Sequence, residues 1–244
     1  MKLTKKQATL HNEAEVLLKK ERLTEDDKYF IMEHWHEAAT NVNSIAGAFF
    51  TPLQLAMDFA NCCIPEGAKV IDLCAGIGKL AFFAHHFKKC SVTCVELNPD
   101  YVRVGRKILP EAEWLNASIT DGAILELSDF DIAISNPPFG LIKTASNKTC
   151  KRYTGSEFEF ITMDIASQVA QLGTFIVPQK STPFKFSQNT HYERVKPVAK
   201  LDKFLKETGF EMEINACIDT ACYLNDWNGV SPLCEVIEID FRGK

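Results

Sequence analysis

The sequence has no surplus of basic residues: 27 Lys and Arg stand against 32 Asp and Glu, a net charge of −5. That excludes a basic surface spread over the whole molecule, so any polyanion must be held by local patches. No apolar run approaches the roughly 18–20 residues that span a bilayer. The first residues, Met1 to Gln7, pass into a charged helical pattern rather than a signal peptide. No Cys-x-x-Cys and no His/Cys ligand spacing occurs, and His34 and His36 lie two apart, off any shared helix face, so no metal site is expected. The nine cysteines make an odd number. Cys90, Cys94, Cys217 and Cys234 fall on apparent core strands, and Cys62 and Cys63 lie beside apolar helix positions. This is the usage expected of reduced, cytoplasmic thiols acting as small hydrophobes. Internal repeats and low-complexity tracts are also missing, and 244 residues suffice for one α/β domain with a modest addition.

Residues 1–46 read as that addition, an N-terminal extension of two helices. Ala14, Val16, Leu17 and Leu18 are the apolar positions of the first. Thr24 is placed to cap the second, with Asp26 and Asp27 in its first turn and Tyr29, Phe30, Met32 and Trp35 as its buried stripe. The pair is expected to be a lid or docking element on a main domain over 47–244. That domain opens with Phe50-Thr51-Pro52, where Thr51 is placed to cap a helix beginning at Pro52 and burying Leu53, Leu55, Ala56 and Phe59.

From about residue 67, strand and helix patterns alternate, which predicts an α/β fold with a mostly parallel sheet covered on both faces. Strands are expected at Val70–Leu73, Val92–Val95, Glu113–Ala117, the Ile132-Ala133-Ile134 run and Thr174–Val177. Two closing strands follow at Glu211–Ile218 and Leu233–Phe241. A helix over Phe158–Leu172 is expected to end at Gly173, and a short one runs from Lys200 to Gly209. Ligands of such sheets bind at the carboxyl ends of strands. Four of those ends carry polar or turn motifs.

At the first, Asp72-Leu-Cys74-Ala75-Gly76-Ile-Gly78 enters a helix from Lys79 to about Phe87. Gly76 and Gly78 permit close backbone approach and positive φ. A dinucleotide fingerprint would place a third glycine at 81, which is Ala81. Asp72 would repel a pyrophosphate but attract a cation. At the second end, Glu96 lies 20 residues after Gly76, the spacing of a ribose-binding acid, with Leu97 beside it to pack on a base. At the fourth, Asn136-Pro137-Pro138-Phe139 stops the strand, because two prolines donate no ladder hydrogen bonds. The Asn136 oxygen and the Pro137 carbonyl can both accept from one NH2 group, and Phe139 can stack on the ring that bears it.

Two basic loops flank this end. Leu141–Gly155 carries Lys143, Lys148, Lys151, Arg152 and Tyr153; residues 178–189 carry Lys180, Phe184, Lys185 and Phe186, with Arg194 and Lys196 soon after. They suit phosphate contact and base stacking, or are solvated loops over packed rings, with one phenylalanine expected beneath. Trp227 reads equally as a wedge for a duplex or a cover for the sheet edge.

Together, Phe50-Thr51-Pro52, Asp72-x-Cys74-Ala75-Gly76-x-Gly78 and Asn136-Pro137-Pro138-Phe139 resemble the S-adenosylmethionine-dependent amino-methyltransferases, most of all the N6-adenine-specific DNA methyltransferases. The resemblance spans about residues 47–240. It implies the Rossmann-like class I methyltransferase fold, seven-stranded with a reversed last strand. It also implies cofactor contacts at Phe50, Thr51, Asp72, Cys74, Ala75, Gly76, Gly78, Glu96 and Leu97, with Asn136 shared between cofactor and target. The family often places an Asp after the third strand to meet the cofactor's adenine; here Ser118 stands there, with Asp121 three residues on. Catalysis falls to Asn136, Pro137, Pro138 and Phe139. Nucleic-acid contacts fall to Lys143, Lys148, Lys151, Arg152, Lys180 and Lys185. The activity implied is N6-adenine methylation of DNA, as in restriction-modification systems. Ribosomal-RNA adenine methylation and a non-catalytic cofactor-binding subunit are the alternatives. Glutamine methyltransferases usually carry Tyr where Phe139 stands. No target-recognition domain is evident, so a specificity subunit is a possible partner.

Overall fold

Short runs of Val, Ile and Cys become the middle of one sheet because helices cover it on both sides. The computed structural model describes residues 3–37, 49–142 and 148–243. In it β1 (Lys69–Leu73), β2 (Ser91–Glu96), β3 (Glu113–Asn116), β4 (Phe130–Ser135) and β5 (Ala170–Pro178) are parallel. Two-residue strands β6 (Phe184–Lys185) and β7 (Glu193–Arg194) form a separate hairpin. β8 (Glu213–Ile214) and β9 (Cys234–Asp240) return to the main sheet, β9 running antiparallel between β5 and β8. The order is β3-β2-β1-β4-β5-β9-β8, the Rossmann-like methyltransferase arrangement with its reversed strand. The inner strands are buried nearly end to end, as parallel strands between two helix layers are.

Among the described residues, seven α-helices accompany the sheet: α1 (Lys5–Leu17), α2 (Glu25–His34), α3 (Leu53–Cys63), α4 (Lys79–Lys88), α5 (Pro99–Ile108), α6 (Phe158–Val169) and α7 (Ala199–Thr208). Side chains alternate across a strand, and the core divides accordingly. Val70, Cys94, Ile132 and Ile134 face Phe59, Phe83 and Val104 of α3, α4 and α5. Ile71, Leu73, Val95 and Ala133 face Phe160, Ile161 and Phe204 of α6 and α7.

The N-terminal hairpin docks on the first of these layers. Thr24 caps α2 through a capping box with Asp27, and Ala14, Leu18, Ile31, Met32 and Trp35 are buried. Val16, read as apolar core, is 61% exposed; α1 buries a narrower stripe than its four apolar positions suggest. Arg103 of α5 donates to Glu15 at 2.8 Å, and Lys107 to the Lys20 carbonyl at 2.8 Å. The boundary drawn at residue 46 lies outside the described residues.

Other expectations are corrected. Gly173 does not end a helix: α6 stops at Val169 and the chain enters β5 directly, with Gly173 paired to Ala133 and Ile239. A Cβ there would lie 2.5 Å from the Phe175 ring and 2.7 Å from that of Phe241, so ring packing selects the glycine. The closing strand expected over Glu211–Ile218 shrinks to β8, leaving Cys217 exposed and off the sheet. Trp227 is 4% exposed within the core, so it covers rather than wedges. All nine cysteines are free thiols, and no described helix is long and apolar enough to cross a membrane.

Candidate active site

Parallel strands bring their carboxyl ends to one rim, and there the chain turns sharply. After β1, Cys74, Gly76 and Gly78 all adopt positive φ, at 67°, 58° and 84°. The Gly78 N–H closes the turn on the Ala75 carbonyl at 2.8 Å, and the Ala75 N–H reaches the Val95 carbonyl of β2 at 3.0 Å. The Phe50 ring lies over the loop; a Cβ at Gly76 would sit 3.2 Å from it. The result is a backbone cradle, held open by glycine, at the N-terminus of α4.

Two carboxylates border it. Glu96, at the end of β2, accepts from the Gly76 N–H at 2.8 Å and from the Asn98 N–H at 2.7 Å. Burial pushes its carboxyl up to about 7 against the pull of those amides. Asp72 is 1% exposed, and neither oxygen closes a hydrogen bond. Burial raises its carboxyl to about 8, tempered by the nearby Ala81 amide and reinforced by Glu96. A buried acid left without a partner is costly in the free protein.

Asn136 sits across from Asp72. Its Nδ2 donates to the Phe49 carbonyl at 3.1 Å and to the Thr51 Oγ1 at 3.0 Å. Those two acceptors fix which way the amide faces, and its Oδ1 is left buried and unpartnered. Thr51 therefore is not the helix cap the sequence suggested: α3 begins at Leu53, Pro52 precedes it with no side-chain cap, and the Thr51 oxygen serves Asn136 instead. Lys79, the first residue of α4, donates to the Thr51 carbonyl at 3.0 Å and lies 5.7 Å from the centre of the Phe50 ring. Glu37, from beyond α2, accepts the Phe50 N–H at 3.4 Å.

The pocket so formed opens to solvent. Of the residues read from sequence, Phe50, Thr51, Asp72, Cys74, Ala75, Gly76 and Asn136 line it; Phe49, Ile77, Lys79 and Leu80 line it too, and the sequence reading missed them. Lys79 gives no local signal, since a lysine opening a helix reads as solvated. Gly78 shapes the cradle from outside the lining. Glu96 adjoins it through Gly76.

The remaining expected residues lie farther along the rim. Leu97 is 64% exposed. Ser118 and Asp121 close a turn after β3, the Ser118 N–H donating to Asp121 at 3.1 Å. Pro137 and Pro138 follow Asn136 out of β4, and Phe139 is half-buried against the α3–α5 layer. Gly140 donates its N–H to the buried Glu159 at 2.7 Å, and Glu159 also accepts from Ser181 at 2.8 Å. One buried carboxylate thus joins both flanking loops. Lys143 lies outside the described residues. Lys148, Lys151, Lys180 and Lys185 are exposed. Arg152 donates to Ser167 at 3.3 Å and sits 5.5 Å from the Phe210 ring, and Tyr153 is buried. The backbone N–H groups of Lys151, Arg152 and Tyr153 all donate to the fully buried Asp164, so this part of the loop is pinned to α6. Phe184 is the phenylalanine packed beneath, at 1% exposure, with Phe186 half-buried.

An unpartnered buried acid beside a glycine cradle fits a ligand that brings a positive charge and a compact polar chain. An acid at the neighbouring strand end fits a diol. Those are the demands of S-adenosylmethionine.

Comparison with known proteins agrees. The chain resembles the type I restriction-modification methyltransferase subunit from Streptococcus thermophilus, with a TM-score of 0.59 at 17% identity over 88% of this chain and 48% of that one. It also resembles a modification subunit of a candidate type I restriction enzyme from Vibrio vulnificus, with a TM-score of 0.57 at 12% identity over 90% of this chain and 50% of that one. The chain spans about half the length of each, and at such identities the likeness is one of fold. No curated protein sequence matches it. The methyltransferase small domain family matches residues 55–205, from α3 to α7 and across the whole β1–β4 rim; the chain belongs to that family of S-adenosylmethionine-dependent methyltransferases.

Proposed function

We propose that the protein methylates the N6 amine of adenine in DNA. The observation that carries this reading is the Asn136 amide: clamped through its nitrogen by Phe49 and Thr51, it keeps a buried, unpartnered oxygen in the same pocket as Asp72. An acceptor held at fixed orientation is what an exocyclic NH2 group needs, and a target carbon would make no use of it.

Bound S-adenosylmethionine supplies an electrophilic methyl group. Asp72 holds its ammonium, the 74–78 loop cradles its chain, and Glu96 accepts from its ribose hydroxyls. Leu97 packs on its adenine, with Ser118 and Asp121 at the edge of that ring. Asn136 Oδ1 and the Pro137 carbonyl would accept hydrogen bonds from the two N–H groups of the target amine, which turns its lone pair toward the pocket. Phe139 stacks on the target ring. Orientation of this kind contributes on the order of 7–11 kcal/mol to barrier reduction. The target amine is itself the nucleophile, so no nucleophilic side chain is required.

A base inside a duplex must leave the stack, at a cost of a few kcal/mol. Exposed Lys148, Lys151, Lys180 and Lys185 offset part of that by holding phosphates, and Arg152 lends its charge to the same face. Likeness to two restriction-modification subunits favours DNA over RNA and favours a partner that supplies sequence specificity. The test is labelled methyl transfer to duplex DNA, single-stranded DNA, ribosomal RNA and protein in parallel, followed by nucleoside analysis. N6-methyldeoxyadenosine is the expected product; label confined to RNA or to glutamine side chains overturns the DNA assignment.

A further inference from the structure

We infer that Lys79 is the carboxylate-binding residue of this pocket, acting opposite Asp72 so that the two clasp the two charges of an α-amino acid group. The inference rests on the reading of the pocket as the S-adenosylmethionine site and adds a residue to it.

Lys79 is 7% exposed, yet its ammonium makes one hydrogen bond, to the Thr51 carbonyl, together with the Phe50 ring face. An ammonium carries three donors, so two remain uncommitted where water scarcely reaches. Asp72, which lines the same pocket, is 1% exposed, and neither of its oxygens has a hydrogen-bond partner. A buried acid and a buried ammonium therefore line one pocket without pairing with each other. Had the pocket been a structural filler, an ion pair between them would satisfy both. A ligand bearing an ammonium and a carboxylate on one carbon satisfies both while leaving them apart.

Two further features favour an anion on the Lys79 side. α4 runs ten residues from Lys79, and its N-cap Gly78 offers no side-chain cap, so its first turn has amides and a dipole to offer a ligand, the Ala81 amide lying near Asp72. Burial also lowers the lysine to about 8, against the raising influence of Glu37 and Glu33, the condition of a cation that gains from an anionic partner. Thr51 joins Lys79 to Asn136, through its carbonyl on one side and its hydroxyl on the other. A bound carboxylate would thus also steady the clamp on the target-facing amide.

The test compares S-adenosylmethionine with decarboxylated S-adenosylmethionine, which differ only in the carboxylate, by titration calorimetry on the full chain. The native protein is expected to bind the decarboxylated form roughly 10- to 100-fold more weakly, the scale of one charge-assisted hydrogen bond. Lys79→Met is expected to lower affinity for S-adenosylmethionine by a similar factor and to leave affinity for the decarboxylated form unchanged. Equal binding of both ligands by the native protein overturns the inference without any variant. So does a Lys79→Met protein that loses both to the same extent, since the lysine then only props Thr51. If the native protein binds neither ligand, the cofactor reading itself fails, and this inference with it.

Discussion

Asp72 is where function and stability oppose each other. Its carboxyl has an ordinary value of 3.8 and is raised to about 8 in the fold, chiefly by burial, with Glu96 adding to the rise and Lys79 the cation in the same pocket. Between those values the unfolded chain is ionised while the folded one holds a proton. Stability from this group is therefore complete below about pH 4, falls as pH rises, and levels off above about pH 8. Asp72→Asn removes that loss. The variant should be the more stable at pH 8 by up to a few kcal/mol, with the gap closing toward pH 4, while its affinity for S-adenosylmethionine falls. Thermal melts across that range and a cofactor titration check both; a variant less stable than the native protein at pH 8 contradicts the account. Asp72, Glu96 and Asn136 were legible in the sequence because strand ends are marked by local pattern. Lys79 and the true role of Thr51 were not, since each acts through a contact spanning 28 or 85 residues.

The elements were legible where hydrophobic period and turn chemistry agreed. α7, expected from Lys200 to Gly209, ends on Gly209 at φ 68°. They were misread where packing overrides composition. Gly173 looks like a break, yet it is the space rings occupy, and the same holds for Gly105 inside α5, where a Cβ would fall 2.1 Å from the Trp114 ring. Gly105→Ala tests which influence wins. Helix propensity favours alanine by about 1 kcal/mol, but forcing Trp114 aside costs about 1–3 kcal/mol. At that separation the ring must move, so urea unfolding should give a net destabilisation of about 1–2 kcal/mol; a stabilised variant would mean that Trp114 has room to shift. The β6–β7 hairpin had no sequence signature, because two-residue strands carry too little alternation. It is seated by the fully buried Glu235, which accepts from Phe186, Ser187 and Gln179.

At the scale of the whole molecule, the mostly parallel sheet followed from alternating strands and helices, and its reversed last strand from the paired closing strands and the resemblance; the strand order did not follow. The docking of the N-terminal hairpin did not follow. Glu37 holds the Phe50 backbone, and Trp35 stacks 6.0 Å from the Phe50 ring, so the extension backs one of the residues that line the pocket. With a net charge of −5 and exposed lysines in the loops beside Asn136, the protein should bind nucleic acid locally. The salt dependence of duplex binding, followed by anisotropy, should be no steeper than about −4 in log–log slope, given four lysines. Charge reversal of Lys180 and Lys185 together should flatten it by about 2; a slope unchanged by that pair would remove the second loop from the interface.

The measurement closest to the central claim pairs two readouts on Asn136→Ala: methyl transfer to adenine in duplex DNA, and binding of S-adenosylmethionine. The account predicts that transfer is lost while cofactor affinity stays within a few-fold of the native value. Transfer at the native rate by that variant would contradict it.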